Sequence, residues 1–267
     1  MKVVILAGGR GTRISEESQI KPKPMVELDG NPILWHIMKI YSYYGYNEFI
    51  ICCGYKGYMI KEYFYDYYMH RSDITFDFSN NNNMIIHNNV AEPWKVTVVD
   101  TGLNAQTGAR IKRIQKYLDD EPFMLTYGDG VSDIDIKALV KFHKDHGKTI
   151  TMTAIQPGGR FGVMDIGDDD KVNRFTEKNK EDGGWVNGGF MVLDQRIFDS
   201  LADDPDLIFE RAPLEKAARE GELVAYKHSG FWQCMDTLRD RIMLEELIEN
   251  KRAPWMKWDP DQNAGRL

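Results

Sequence analysis

The chain predicts an α/β fold, a Rossmann-like mixed and mainly parallel central sheet flanked by helices. Three observations lead there. Strand-like and helix-like patterns alternate through the first 155 residues, the mark of a sheet built from strand–helix–strand crossovers with helices on both faces. Val3–Leu6 is an unbroken apolar run, which reads as a buried strand. Glycine-bearing turns at Gly8–Arg13 and Gly128–Asp129 follow strands directly, and in such sheets ligands bind outside the carboxyl ends of the strands.

The elements follow in order. Val3–Leu6 is the first strand. Pro32–Tyr44 is a helix with proline at its start and Ile33, Leu34, Ile37, Met38 and Tyr41 on one side. Phe49–Cys53 is a strand, and Tyr58–Tyr68 a helix in which Ile60, Phe64 and Tyr67 recur at helical spacing. Val96–Asp100 and Phe123–Tyr127 are strands, Asp135–His146 is a helix with Asp135 as its cap, and Thr149–Ile155 is a strand. The second half is richer in short strands, at Phe161–Ile166, Val172–Glu177, Gly189–Leu193 and Leu223–His228, with helices at Glu210–Glu220 and Thr237–Asn250. The four asparagines Asn80–Asn83 form a polar loop or hairpin tip. Nothing cuts the chain, so residues 1–258 are expected to form one unit and 259–267 a frayed tail.

Composition narrows the class. At 267 residues, 42% apolar and 28% charged, the chain can bury a large core. A net charge of −7 argues against a general nucleic-acid grip but leaves room for a local cationic pocket. Three cysteines, two of them adjacent, make neither a disulfide framework nor a Cys-x-x-Cys metal site, which fits a reducing, cytoplasmic setting. No apolar run approaches a signal peptide or a membrane span. A homo-oligomer is expected, with exposed members of Tyr58–Tyr68 as candidate interface residues.

The first 24 residues carry the strongest chemical signal. The strand runs into Ala7-Gly8-Gly9-Arg10-Gly11-Thr12-Arg13, and ten residues beyond that arginine comes Lys23, in Lys21-Pro22-Lys23-Pro24. Bare backbone N–H groups, a hydroxyl and two cations describe a grip on a triphosphate. The spacing excludes two rivals. A P-loop needs Gly-Lys-Ser/Thr, and here Thr12-Arg13 follow Gly11. The dinucleotide fingerprint needs a third glycine at position 14, which is Ile.

These residues resemble the signature of the sugar-1-phosphate nucleotidylyltransferases. The Ser-Glu-Glu segment at 15–17, Trp35-His36-Ile37-Met38, Ile51-Cys52-Cys53-Gly54-Tyr55-Lys56-Gly57, Thr126-Tyr127-Gly128-Asp129-Gly130-Val131 and Met235-Asp236-Thr237-Leu238-Arg239-Asp240 are similar to the cytidylyltransferase branch. The resemblance runs from residue 1 to about 258. It implies the nucleotide-diphospho-sugar transferase fold, CTP and glucose 1-phosphate as substrates, Mg²⁺ as cofactor, and in-line attack of the sugar phosphate on the α-phosphate.

It also implies roles. Leu6, Ala7, Gly8, Gly9, Arg10, Gly11, Thr12 and Arg13 would hold the triphosphate, with Arg13 on the leaving pyrophosphate and Lys23 on the reacting phosphate. By residue type Asp129, between Gly128 and Gly130, is as easily a turn aspartate as a metal ligand, and Asp236 reads first as a helix cap. The resemblance makes both metal carboxylates, Asp129 also catalytic, and passes over Asp133 and Asp135. In the loop 100–110, Ala105, Thr107, Gly108 and Arg110 would read the base, with Arg110 donating to cytosine acceptors; without the resemblance this is a connecting loop with Thr107 as cap. Gly128 would border the nucleotide. Gly162, Glu177, Lys178, Asn187 and Gly188 would bind the sugar phosphate, where the plainer readings are a solvated pair and a turn. Two departures bear on loop stiffness: Asn179 follows Glu177-Lys178, and Cys234 precedes Met235, each where the family pattern has proline. The nearest rivals are the same chemistry with UTP or dTTP, or a metal-dependent glycosyltransferase reading Asp133-x-Asp135 as its motif.

Overall fold

A computed structural model describes residues 1–9, 21–156, 163–166, 172–176 and 184–263. The strands are β1 (Val3–Ala7), β2 (Glu27–Leu28), β3 (Asn31–Pro32), β4 (Glu48–Cys53), β5 (Ser72–Asp77), β6 (Asn83–Asn89), β7 (Lys95–Asp100), β8 (Phe123–Tyr127), β9 (Gly130–Ser132), β10 (Ile150–Ile155), β11 (Val163–Ile166), β12 (Val172–Thr176), β13 (Val186–Leu193), β14 (Leu223–His228) and β15 (Trp232–Cys234). The helices are α1 (Ile33–Tyr43), α2 (Gly57–Tyr65), α3 (Tyr67–His70), α4 (Thr107–Arg113), α5 (Ile136–His146), α6 (Ala212–Arg219) and α7 (Leu238–Glu249).

Seven of the described strands form one sheet in the order β14-β10-β13-β8-β1-β4-β7. β1 pairs in parallel with β4 and β8, β4 with β7, and β10 with β14, while β13 runs against both its neighbours. The expected mixed, mainly parallel sheet is therefore present. Its faces are sorted by the strand period of two. Val3, Ile5 and Ala7 of β1 join a core with α1, α5 and α7, whereas Val4 and Leu6 join a second core with Ile111 and Ile114 and with Leu214 and Ala217 of α6. A strand covered on both faces has no polar face, which is why β1 reads as a continuous apolar run.

The chain order places the site. β4 lies on one side of β1 and β8 on the other, so the connections diverge at the carboxyl end of β1. The register Leu6↔Tyr127 sets Gly8–Gly9 beside Gly128–Asp129 at that switch point. Helix Tyr58–Tyr68 of the sequence reading is two helices, broken at Asp66. Tyr58 and Tyr65 are exposed, and β5–β6 project as an exposed hairpin whose turn carries Asn80–Asn82. Among the described residues no helix is long and apolar enough to cross a membrane.

Candidate active site

A cleft of about 350 Å³ opens at the switch point, lined by Leu6, Ala7, Gly8 and Gly9 from the end of β1, Lys23 and Pro24, Ala105 to Thr107 and Arg110, and Tyr127, Gly128 and Asp129 from the end of β8. Ten of the expected site residues meet there: Leu6, Ala7, Gly8, Gly9, Lys23, Ala105, Thr107, Arg110, Gly128 and Asp129. Arg10, Gly11, Thr12, Arg13, Gly162, Glu177 and Lys178 lie outside the described residues.

Close backbone approach explains Gly128. Its N–H donates to Leu6 O at 3.0 Å, and a Cβ there would stand 3.0 Å from both that oxygen and Pro24 Cγ. With no side chain in the way, the turn after Pro22 packs onto the strand ends and delivers Lys23. Pro24 and Met25 are buried beneath it.

Lys23 Nζ donates to Asp129 Oδ2 at 2.5 Å and to Asp236 Oδ1 at 2.5 Å. The two aspartates are far apart in sequence and are joined by a small ladder. β9 pairs with β15, Gly130 facing Cys234, and the next residue pair continues with Met235 N donating to Asp129 O at 2.8 Å. Burial works to lower the Lys23 pKa, but the charges and hydrogen bonds of Asp129 and Asp236 outweigh it and hold the ammonium above its usual value. The Cys234 thiol, 3.6 Å from Asp236 Oδ2, is pushed up to about 12 by burial and the two carboxylates, so it stays protonated and unreactive.

Asp236 does not cap α7, correcting the reading from residue type. Thr237 is the cap: its Oγ1 accepts Asp240 N at 3.2 Å, and Asp240 Oδ2 accepts Thr237 N at 2.8 Å in a capping box. That arrangement leaves the Asp236 carboxylate turned to Lys23. Asp135 does cap α5, through Ala138 N at 3.0 Å. Asp133 is taken up by Phe231 N at 2.7 Å and His228 Nε2 at 3.0 Å, away from the cluster.

Arg110 is placed differently from expectation. It is 5% exposed, and its terminal nitrogens already donate to protein oxygens: Nη1 to Cys53 O at 2.9 Å and Thr101 Oγ1 at 2.7 Å, Nη2 to Gly8 O at 3.1 Å and, weakly, to Leu103 O at 3.5 Å. Instead of pointing free donors at a base, it braces the ends of β1 and β4 against the loop after β7. Burial pulls its pKa down. Gly8 is forced by this brace, because a Cβ there would lie 2.1 Å from Arg110 Nη1. Gly108 lies behind the cleft, its N–H donating to Leu207 O at 2.9 Å.

Thr107 is not a side-chain cap for α4. Its Oγ1 donates to Glu210 Oε2 at 2.6 Å and accepts Phe209 N at 2.9 Å. Asn187 and Gly188 stand in β13; Asn187 Nδ2 donates to Tyr127 Oη at 3.0 Å, and Gly188 O accepts Trp232 Nε1 at 2.7 Å. Glu210 and the cleft role of Tyr127 were not picked out from sequence. Glu210 reads there as one more acid near a helix start, with nothing in its neighbours to single it out.

A seven-stranded, mostly parallel sheet with a cationic and acidic cluster at its switch point defines an α/β protein with a ligand site where such sheets bind their ligands. The sequence matches the Nucleotidyl transferase family over residues 2–238, and the chain belongs to that family. It is 56% identical over 260 residues to the glucose-1-phosphate cytidylyltransferase of Salmonella typhi, covering 97% of this chain and 100% of that one. It is 42% identical over 258 residues to the probable glucose-1-phosphate cytidylyltransferase of Bacillus subtilis, again covering 97% and 100%. A crystal structure of HddC from Yersinia pseudotuberculosis complexed with GMP-PN superposes with a TM-score of 0.65 at 25% identity, covering 92% of this chain and 99% of that one.

Proposed function

We propose that this chain transfers CMP from CTP to α-D-glucose 1-phosphate, giving CDP-glucose and pyrophosphate. The chemistry rests on one observation: an ammonium and two carboxylates, from three separate segments, converge beside the glycine-bearing ends of β1 and β8 that line the cleft. The substrates rest on the likeness to the two cytidylyltransferases.

An oxygen of the sugar phosphate attacks the α-phosphorus, the bond to the bridging oxygen of pyrophosphate breaks, and the α-phosphate exchanges its anhydride bond to pyrophosphate for one to the sugar phosphate. The nucleophile is already an anion, so no strong base is required. Repulsion between the two anions is offset by the cations around them, and fixed positioning can separately remove up to about 7–11 kcal/mol of the barrier through prepaid entropy. Lys23, kept charged by its surroundings, contacts the reacting phosphate. Gly8 and Gly9, with Arg10 to Arg13, hold the outer phosphates, Arg13 on the leaving group. Ala105, Thr107 and Arg110 bound the base side, Arg110 chiefly by keeping the loop and strand ends in place, and Gly108 supports it from behind through Leu207. Glu177, Lys178, Asn187, Gly188 and Gly162 form the sugar side, Lys178 neutralising the incoming phosphate.

Enzymes of this family use a divalent metal. Mg²⁺ is the ion we assign, with Asp129 and Asp236 as its protein ligands. The fit is chemical: the pair offers only hard carboxylate oxygens and already holds one cation between them, the Lys23 ammonium. Among the described residues no group of three or more metal-binding side chains occurs, so phosphate oxygens would complete the shell. When bound, the ion supplies charge neutralisation at the α-phosphate.

The test is pyrophosphate release by the purified chain given CTP, glucose 1-phosphate and Mg²⁺, repeated with Asp129→Ala and Asp236→Ala. Release in the parent and a loss of at least about a hundredfold in each variant, with folding retained, is expected. Near-parental turnover in either variant overturns that residue's role, and no release in the parent overturns the reaction.

A further inference from the structure

We propose that Glu210 is a positioning residue that couples the nucleotide side of the cleft to its sugar side, an inference that rests on the reaction proposed above. Its carboxylate lies just ahead of α6 and joins the start of α4 to the end of β8. Oε2 accepts Thr107 Oγ1 at 2.6 Å, and Oε1 accepts Tyr127 Oη at 2.6 Å. Thr107 opens α4 on the nucleotide side and in turn accepts Phe209 N at 2.9 Å. Tyr127 ends β8 in the cleft and accepts Asn187 Nδ2 at 3.0 Å, while Asn187 Oδ1 accepts Gly189 N at 2.8 Å.

The directions of these hydrogen bonds are forced. A carboxylate only accepts, so both hydroxyls point their protons at Glu210. The Tyr127 oxygen is then left as an acceptor, and Asn187 must turn its amine to that oxygen and its carbonyl to the Gly189 N–H. The face that Asn187 presents to a sugar is therefore set at Glu210, which also holds the first residue of α4. A displacement of Thr107 when a nucleotide binds acts on the same carboxylate that orients Tyr127 and Asn187. A glutamine at 210 has one donor and one acceptor in place of two acceptors, and one of the two hydroxyls must turn away.

The experiment measures kcat and both KM values for the parent, Thr107→Val, Glu210→Gln and the double variant, with folding checked by thermal denaturation. Thr107→Val, although on the nucleotide side, is expected to raise KM for glucose 1-phosphate about tenfold, within the usual range of coupling between sites. Glu210→Gln is expected to do the same, and the double variant no worse than Glu210→Gln alone. Tyr127→Phe, nearly isosteric, serves if Thr107→Val does not fold. It too should raise KM for glucose 1-phosphate, with no further rise on adding Glu210→Gln. A Thr107→Val effect confined to CTP, or single effects that multiply in the double variant, overturns the coupling while leaving the reaction standing. A parent that releases no pyrophosphate removes the reaction and the coupling together.

Discussion

Three parts of the cleft meet at the Arg110 guanidinium. It donates to Gly8 O at the end of β1, to Cys53 O at the end of β4 and to Thr101 Oγ1 after β7. Gly8 O and Cys53 O keep donors in Tyr55 N and Thr101 N, so removing Arg110 costs its charged hydrogen bonds, about 1.5–3 kcal/mol each, and the brace between the strand ends. Arg110→Ala should therefore lower the thermal midpoint and raise KM for CTP well beyond its effect on KM for glucose 1-phosphate. Arg110→Lys should not restore either, because one ammonium cannot reach acceptors that lie in several directions. Equal losses for the two substrates, or full rescue by lysine, would contradict the bracing role. Gly8→Ala should resemble Arg110→Ala, since the added methyl occupies the space of the guanidinium.

At the scale of elements, the end of β15 and the start of α7 decide what Asp236 can do. Asp240 accepts Asp236 N at 3.1 Å as well as Thr237 N and Thr237 Oγ1, so the capping box also fixes the backbone of Asp236. Thr237→Ala should cost about 1 kcal/mol of stability. It should also reduce turnover more than KM, because the carboxylate beside Lys23 is no longer held in place; denaturant midpoints and initial rates check both. Unchanged turnover in a destabilised variant would separate the cap from the site. Sequence patterns reached this level unevenly. Val3–Leu6 and Phe123–Tyr127 stood out because strong apolar runs end in clear punctuation, and the first of these strands extends one residue further, to Ala7. The cap of α7 was misread because aspartate and threonine are adjacent and both are good caps; only the reciprocal bond from Asp240 decides between them. The β5–β6 hairpin was visible only through its asparagine tip, since its strands are largely exposed and show no buried face. β9 and β15, three residues each, are too short to carry a period, yet they are the elements that join Asp129 to Asp236. The glycine-bearing strand end and Lys23 were legible because their chemistry is local. Glu210 was not, because its meaning depends on partners in β8 and α4.

The whole molecule rests on a sheet covered on both faces, and two buried imidazoles make its stability depend on pH. His36 of α1, packed among Trp35, Trp255 and Trp258, is pushed down to about 4 by burial, and His143 of α5 is likewise lowered to about 4. Protonation of each favours the unfolded chain, where the pKa is about 6.5. Their contribution is complete above pH 6.5 and is lost as the pH falls toward 4, on the order of 3 kcal/mol for His36 over that interval. Denaturant midpoints should fall across this window, and His36→Gln should flatten part of the slope; a flat profile in the parent would contradict the burial of neutral histidine. Function depends on the same architecture, because the switch point beside β1 gathers ten of the expected site residues in one cleft. The most direct test of cytidylyl transfer is the rate of pyrophosphate release with glucose 1-phosphate and Mg²⁺ across CTP, UTP, dTTP and GTP. The account predicts that CTP exceeds each of the others in kcat/KM by at least about tenfold and that CDP-glucose is the product. Equal rates with UTP or dTTP, or release without a sugar nucleotide forming, would contradict it.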